Sequence, residues 1–126
     1  MFVRSLNEII GTERDVNWGN GQSRRLLVEK DGMGFALLDT IIKAGTDQQI
    51  QYKNHLEAVY CIEGKGSITD VAEDKIYDIE PGVMYVLDNH DVHRLCATED
   101  LRVICVFNPP IKGDEKHDMS KSGSSY

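Results

Sequence analysis

Short apolar runs separated by turn residues dominate this chain from Gly11 onward, and they constrain its fold more than any other feature. Ser23–Glu29 carries Leu26-Leu27-Val28, and Gly34–Ile42 reads Gly-Phe-Ala-Leu-Leu-Asp-Thr-Ile-Ile. Ile50–Ile62, Gly66–Val71, Lys75–Ile79, Val83–Leu87, His93–Cys96 and Leu101–Phe107 follow. The separators are Asp31-Gly32, Ala44-Gly45, Gly64-Lys65-Gly66, Glu73-Asp74, Pro81-Gly82 and Asp88-Asn89-His90-Asp91. Strands of this length, punctuated this often, predict a small closed β-structure, a sandwich or barrel. Only the N-terminus reads as helical: Ser5 with Glu8 three residues on has capping-box spacing before Ile9-Ile10-Gly11.

Alternation along two runs predicts what faces inward. In Leu101–Phe107 one face is Leu101, Val103, Cys105 and Phe107, and the other holds Arg102, Ile104 and Val106. In Leu56–Ile62 one face is Glu57, Val59 and Cys61, and the other is Leu56, Ala58, Tyr60 and Ile62. Both faces of this second strand are apolar, which suits a strand between a barrel interior and a second layer or subunit. Glu57 is then a carboxyl in an apolar strand, and it needs a partner, a metal or a raised pKa.

Charge and length narrow the function. Fourteen Lys and Arg against twenty-one Asp and Glu leave a net charge of −7. That argues against nucleic acid and against anionic lipid surfaces as partners. At 126 residues the length suits one domain, read as residues 1–118 with a flexible Ser-rich tail at 119–126. No apolar run is long enough for a membrane span or a secretory leader, so a cytoplasmic protein is expected. Cys61, Cys96 and Cys105 lie in strand-like runs with no Cys-x-x-Cys pair, which reads as reduced, buried thiols. Tyr60 and Tyr77 read as packing residues. Four histidines are present, and His90, in a polar turn, has solvent as its expected neighbour. From the residues alone, His55 and Glu57 on one strand face plus His93 from another strand form one candidate metal set.

A stricter reading of spacing brings out a resemblance. Two-motif cupins carry G-x5-H-x-H-x3-E-x6-G and, later, G-x5-P-x-G-x2-H-x3-N. This chain reads Gly45-x5-Gln51-x-Lys53-x3-Glu57-x6-Gly64, then Gly82-x2-Tyr85-x3-Asn89 with Pro81 before Gly82. The frame fits, but the ligand histidines are replaced by Gln51, Lys53 and Tyr85, and the first glycine of the second motif is Asp74. Within that departure, the runs 54–64, 31–35, 81–85, 87–91 and 105–110 resemble the ectoine synthase family, as do 9–16 and 23–27.

The resemblance implies a homodimeric, all-β cupin (a double-stranded β-helix or jelly-roll barrel). It implies an enzyme that closes N-γ-acetyl-L-2,4-diaminobutyrate to the compatible solute ectoine with loss of water, in osmotic-stress protection. It also implies a metal, Fe(II), with Zn or Mn as substitutes, held by residues matching Glu57, Tyr85 and His93. Tyr52 and Glu115 match the acid/base pair, with Glu115 and His117 in a C-terminal lid. Arg25 and Thr40 match positions that receive the substrate carboxylate. His55 would bond substrate or orient Glu57, and Cys105 and Phe107 would wall the cavity. Trp18 is displaced from the family's usual tryptophan position, so an aromatic wall there is an expectation to be tested. Other readings are a different metal-dependent cupin, a dioxygenase or isomerase, or a non-catalytic cupin that binds a small molecule.

Overall fold

The computed structural model describes residues 1–115 of the chain. One 3-10 turn at Leu6–Glu8 follows Ser5, whose backbone N–H donates to Glu8 Oε2 at 3.4 Å, and a second lies at Glu29–Asp31. Ten strands are described: β1 (Asp15–Asn17), β2 (Gly21–Leu27), β3 (Ala36–Ile42), β4 (Asp47–Ile50), β5 (Leu56–Glu63), β6 (Gly66–Asp70), β7 (Lys75–Ile79), β8 (Met84–Leu87), β9 (His93–Ala97) and β10 (Leu101–Asn108). They form a six-stranded sheet, ordered β1-β2-β3-β10-β5-β8, and a four-stranded sheet, ordered β4-β9-β6-β7. The two-layer, all-β architecture agrees with the sequence pattern. No helix among the described residues is long and apolar enough to cross a membrane.

Two expectations change. The run expected as one strand over Ile50–Ile62 is divided into β4 and β5. Ile50 pairs with His93 in the smaller sheet, whereas Glu57 pairs with Leu87 and Phe107 in the larger one. Residues 51–55 are therefore spent crossing between sheets, which no single strand can do. The other change concerns β5's outer face, which is open in the single chain: Tyr60 is 48% exposed, and its pairing partner Met84 on β8 is 59% exposed. Tyr77 is exposed too, and Cys96 is only partly buried, while Cys61 and Cys105 are buried and all three thiols are free.

Elsewhere the alternation holds. Along β10, Leu101, Val103, Cys105 and Phe107 are buried, and on β5 Glu57, Val59 and Cys61 are buried. They meet Ile50, Ile68, Ile79 and Leu95 of the smaller sheet in one core. Each fully buried Leu, Ile, Val or Phe side chain contributes roughly 1.5–3 kcal/mol. Gly64, with φ +90°, turns the chain between β5 and β6 where a Cβ would stand 2.0 Å from the Asp100 carbonyl oxygen, so only glycine fits.

Candidate active site

Between the two sheets lies a small cavity of about 40 Å³. Its polar lining is Ser23, Thr40, Tyr52, Glu57, Tyr85, His93 and Cys105, set among Trp18, Leu38, Val59, Leu95 and Phe107. Ligand pockets commonly run to about 300–1,000 Å³.

Strand register brings these groups together. Glu57 faces inward from β5, Tyr85 from β8 and His93 from the start of β9, so two sheets contribute. Glu57 is 5% exposed. Burial pushes its pKa up to about 8, against the opposing pull of a hydrogen bond from the Cys105 thiol. Burial also pushes the Tyr85 phenol well up, and the neighbouring Glu57 charge adds to it. The Cys105 thiol is raised for the same two reasons, and its sulfur lies 3.8 Å from Thr40 Oγ1. Burial lowers the His93 pKa, which favours the neutral ring. His93 Nδ1 lies 3.0 Å from the Asp91 carbonyl. A carbonyl only accepts, so Nδ1 carries the proton and Nε2 keeps the lone pair of the neutral imidazole.

Tyr52 stands on the 51–55 crossing. Its ring meets Phe107 edge-on at 5.4 Å between centroids and His93 at 5.5 Å, tilted. Trp18 does reach the cavity, and its indole N–H donates to the Ile41 carbonyl at 3.2 Å. Glycine makes this possible: a Cβ on Gly21 would stand 1.9 Å from the Ile41 oxygen and 3.3 Å from the indole nitrogen. The buried Ser23 is a lining residue that the motif reading did not single out, though alternation along β2, with Gly21, Ser23 and Arg25 inward, carries that signal.

Three other residues stand apart from the cavity lining. Arg25, 0% exposed, donates Nε to Ser23 Oγ at 3.2 Å and its two terminal nitrogens to the Gly113 and Glu115 carbonyls at 2.6 Å each. The Glu115 carboxylate accepts the Lys112 and Gly113 backbone N–H groups, both at 2.8 Å. Burial pushes its pKa up, but those two N–H groups and the Arg25 charge outweigh it and hold the pKa low. Arg25 and Glu115 together strap residues 111–115 against the barrel. His55 packs edge-on against Phe107 at 5.9 Å and bonds the Pro109 carbonyl through Nδ1 at 2.7 Å. His117 and the 119–126 tail lie outside the described residues.

The His55–Glu57–His93 metal set is not assembled. Among the described residues no three His, Cys, Asp or Glu side chains gather as a metal site. His55 turns its ring to Pro109 and Phe107 instead. Glu57, Tyr85 and His93 do fit a cation: a carboxyl in an apolar site, a phenol, and an imidazole whose Nδ1 bond leaves Nε2 for a ligand.

Comparison with known proteins settles the family. The ectoine synthase family model matches residues 1–125. A protein from Desulfatibacillum aliphaticivorans named L-ectoine synthase is 58% identical over 120 residues, covering 94% of this chain and 92% of that protein. The crystal structure of ectoine synthase from P. lautus matches with TM-score 0.86 at 55% identity, covering 90% of this chain and 81% of that one. The chain belongs to the ectoine synthase family.

It is accordingly an enzyme, a carbon–oxygen lyase of the hydro-lyase class, and the oxygenase, isomerase and non-catalytic readings give way. The cupin fold is shown as well. The Schizosaccharomyces pombe Cnp3 cupin domain matches with TM-score 0.60 at 14% identity, over 79% of this chain and 69% of that one, a likeness of fold alone. Members of the ectoine synthase family thus share with other cupins the barrel, and this chain fills it with a carboxyl, a phenol and an imidazole.

Proposed function

We propose that the chain closes N-γ-acetyl-L-2,4-diaminobutyrate into ectoine, a compatible solute made under osmotic stress, inside the barrel. The observation that carries this reading, beside family membership, is the convergence of Glu57, Tyr85, His93, Tyr52 and Thr40 on one cavity with largely apolar walls. In the reaction the α-amine nitrogen bonds to the amide carbon, the amide C–O bond breaks, and the oxygen leaves as water with two protons from the nitrogens. A divalent metal, Fe(II) with Zn or Mn as substitutes, held by Glu57, Tyr85 and His93, would supply Lewis-acid polarisation of an amide.

The chain's own residues do the rest. The apolar walls exclude bulk water, which would otherwise favour the open amide. Confinement holds a flexible chain folded, with amine and carbonyl near each other before reaction. The Tyr52 phenol is the proton-transfer group at the departing oxygen. Thr40 receives the substrate carboxylate through its hydroxyl, and Cys105, Phe107 and Trp18 shape the wall. Arg25 and Glu115, the second member of the assigned acid/base pair, act from outside by keeping the 111–115 strap in place. His55 steadies Phe107.

The reading extends to a cytoplasmic homodimer, supported by the exposed apolar Tyr60, Met84 and Val86 on adjacent strands. Light scattering should then give twice the 14.2 kDa chain mass. The main test is metal analysis of purified protein with an assay for the cyclic product. Product should form, be lost on chelation and return with Fe(II). An unchanged rate in chelated, metal-free protein overturns the metal part of the reading. Absence of product from metal-loaded protein overturns the reaction.

A further inference from the structure

His90 lies outside everything the proposed reaction uses. It is exposed and stands in a polar turn, yet its backbone has φ +52°, a conformation L side chains rarely adopt. Its ring Nδ1 lies 2.9 Å from the Tyr52 carbonyl. The carbonyl accepts, so Nδ1–H donates. A second bond runs the opposite way, from Gln51 Nε2 to the His90 carbonyl at 3.1 Å. The Asn89 N–H, bonded to Asp91 Oδ2 at 3.1 Å, braces the same turn.

The topology gives these bonds their meaning. Residues 51–55 carry the chain from β4 in the smaller sheet to β5 in the larger, and residues 88–92 carry it from β8 in the larger sheet to β9 in the smaller. Two sheet-crossing connections, neither with ladder bonds of its own, are thus tied to each other. One delivers Tyr52. The other delivers His93, whose ring it aims through the Asp91 carbonyl.

We infer that His90 is a positioning residue: its clasp on the Tyr52 carbonyl couples the two crossings and sets where the Tyr52 ring stands against His93 and Phe107. This rests on the reading of Tyr52 as the proton-transfer group. The φ +52° backbone accompanies the turn of the ring toward residue 52.

The test compares wild type, His90→Ala, His90→Asn, Tyr52→Phe and the double variant His90→Ala/Tyr52→Phe as metal-loaded enzyme. Measurements are kcat, KM, melting temperature and amide hydrogen exchange over 51–55. His90→Ala should lower kcat about tenfold with KM within about twofold, since small misplacement near the chemistry is costly. His90→Asn, which tolerates positive φ and keeps an N–H donor, should recover about half of the lost rate. In the Tyr52→Phe background, His90→Ala should cost less than about twofold, and exchange over 51–55 should quicken about tenfold in His90→Ala. Wild-type kcat and exchange in His90→Ala overturn the inference, as does an undiminished loss in the Tyr52→Phe background. If wild type makes no cyclic product, the proposed reaction falls, and exchange over 51–55 alone decides whether the clasp exists.

Discussion

Glu57 and Asp39 are both buried carboxyls in the larger sheet, 5% and 4% exposed, on strands separated only by β10. Their surroundings send them opposite ways. Glu57 points inward among apolar walls and a thiol, and burial raises it to about 8. Asp39 suffers the same burial, but Arg102 and Arg24 outweigh it and lower its pKa. Arg24 Nη2 reaches Asp39 Oδ1 at 2.5 Å, and Arg102 Nη2 reaches Oδ2 at 2.7 Å. The contrast separates an acid that the fold has neutralised with its own cations from one whose charge is left for something else to balance. Removal of the first should cost stability, and removal of the second should cost function.

The largest effect expected is at Glu57. Glu57→Gln should lower bound metal and cyclic-product formation by about 100-fold or more, because the one carboxyl among the described lining residues is gone. Its melting temperature in chelator should hold or rise, since an ionisable group has left an apolar site. Mass-spectrometric metal content and calorimetry decide it, and near-normal metal content in the variant would break the contrast. Asp39→Asn should do the reverse. It leaves two guanidiniums without their shared carboxylate, at a cost of about 3 kcal/mol in urea unfolding, while kcat of the folded fraction is unchanged.

A smaller effect comes with acid. The Arg14 guanidinium beside Asp31 holds its carboxyl at about 2, below the ordinary 3.8. A lowered carboxyl contributes stability that is complete above its unfolded pKa and lost as pH falls through its folded one. The window is therefore from about pH 4 down to about pH 2, worth of order 1 kcal/mol for Asp31 after solvent screening. Asp31→Asn should flatten that limb, which urea titrations at several pH values would read. The smallest effect is expected at Asp47, whose ion pair with Arg94 joins side chains 52% and 54% exposed. Asp47→Asn should leave the melting temperature within about 1 °C. A larger drop would show that exposed pairs matter here as much as the buried Asp39 cluster.

Much of this was readable in one dimension. Alternation named the inward faces of β5 and β10, turn residues marked most boundaries, motif spacing singled out Glu57 and Tyr85, and the family resemblance added His93. The misses share a cause. Ile50–Ile62 reads as one apolar run because hydrophobic pattern carries no record of which sheet a strand joins. Asp15–Asn17 and Asp47–Ile50 escaped notice because they are short and polar, held by partners rather than by propensity. Arg25 looked like an open fork for a ligand. Its terminal nitrogens bond backbone carbonyls 88 and 90 residues away, contacts that leave no local trace. His90 is exposed, as its polar turn suggests, but its bond to a main-chain oxygen is a contact the sequence does not mark.

Side-chain chemistry and its short-range rhythm settle that the chain makes strands, that Glu57 turns inward and that an acid there must be neutral or balanced. These follow from a period of two and from the energetics of burial, both of which act over a few residues. That a phenol from β8 and an imidazole from β9 join that acid was decided only when two sheets closed over one another. Closure depends on register and crossings between residues far apart in the chain, and these are set by the packing of the whole core.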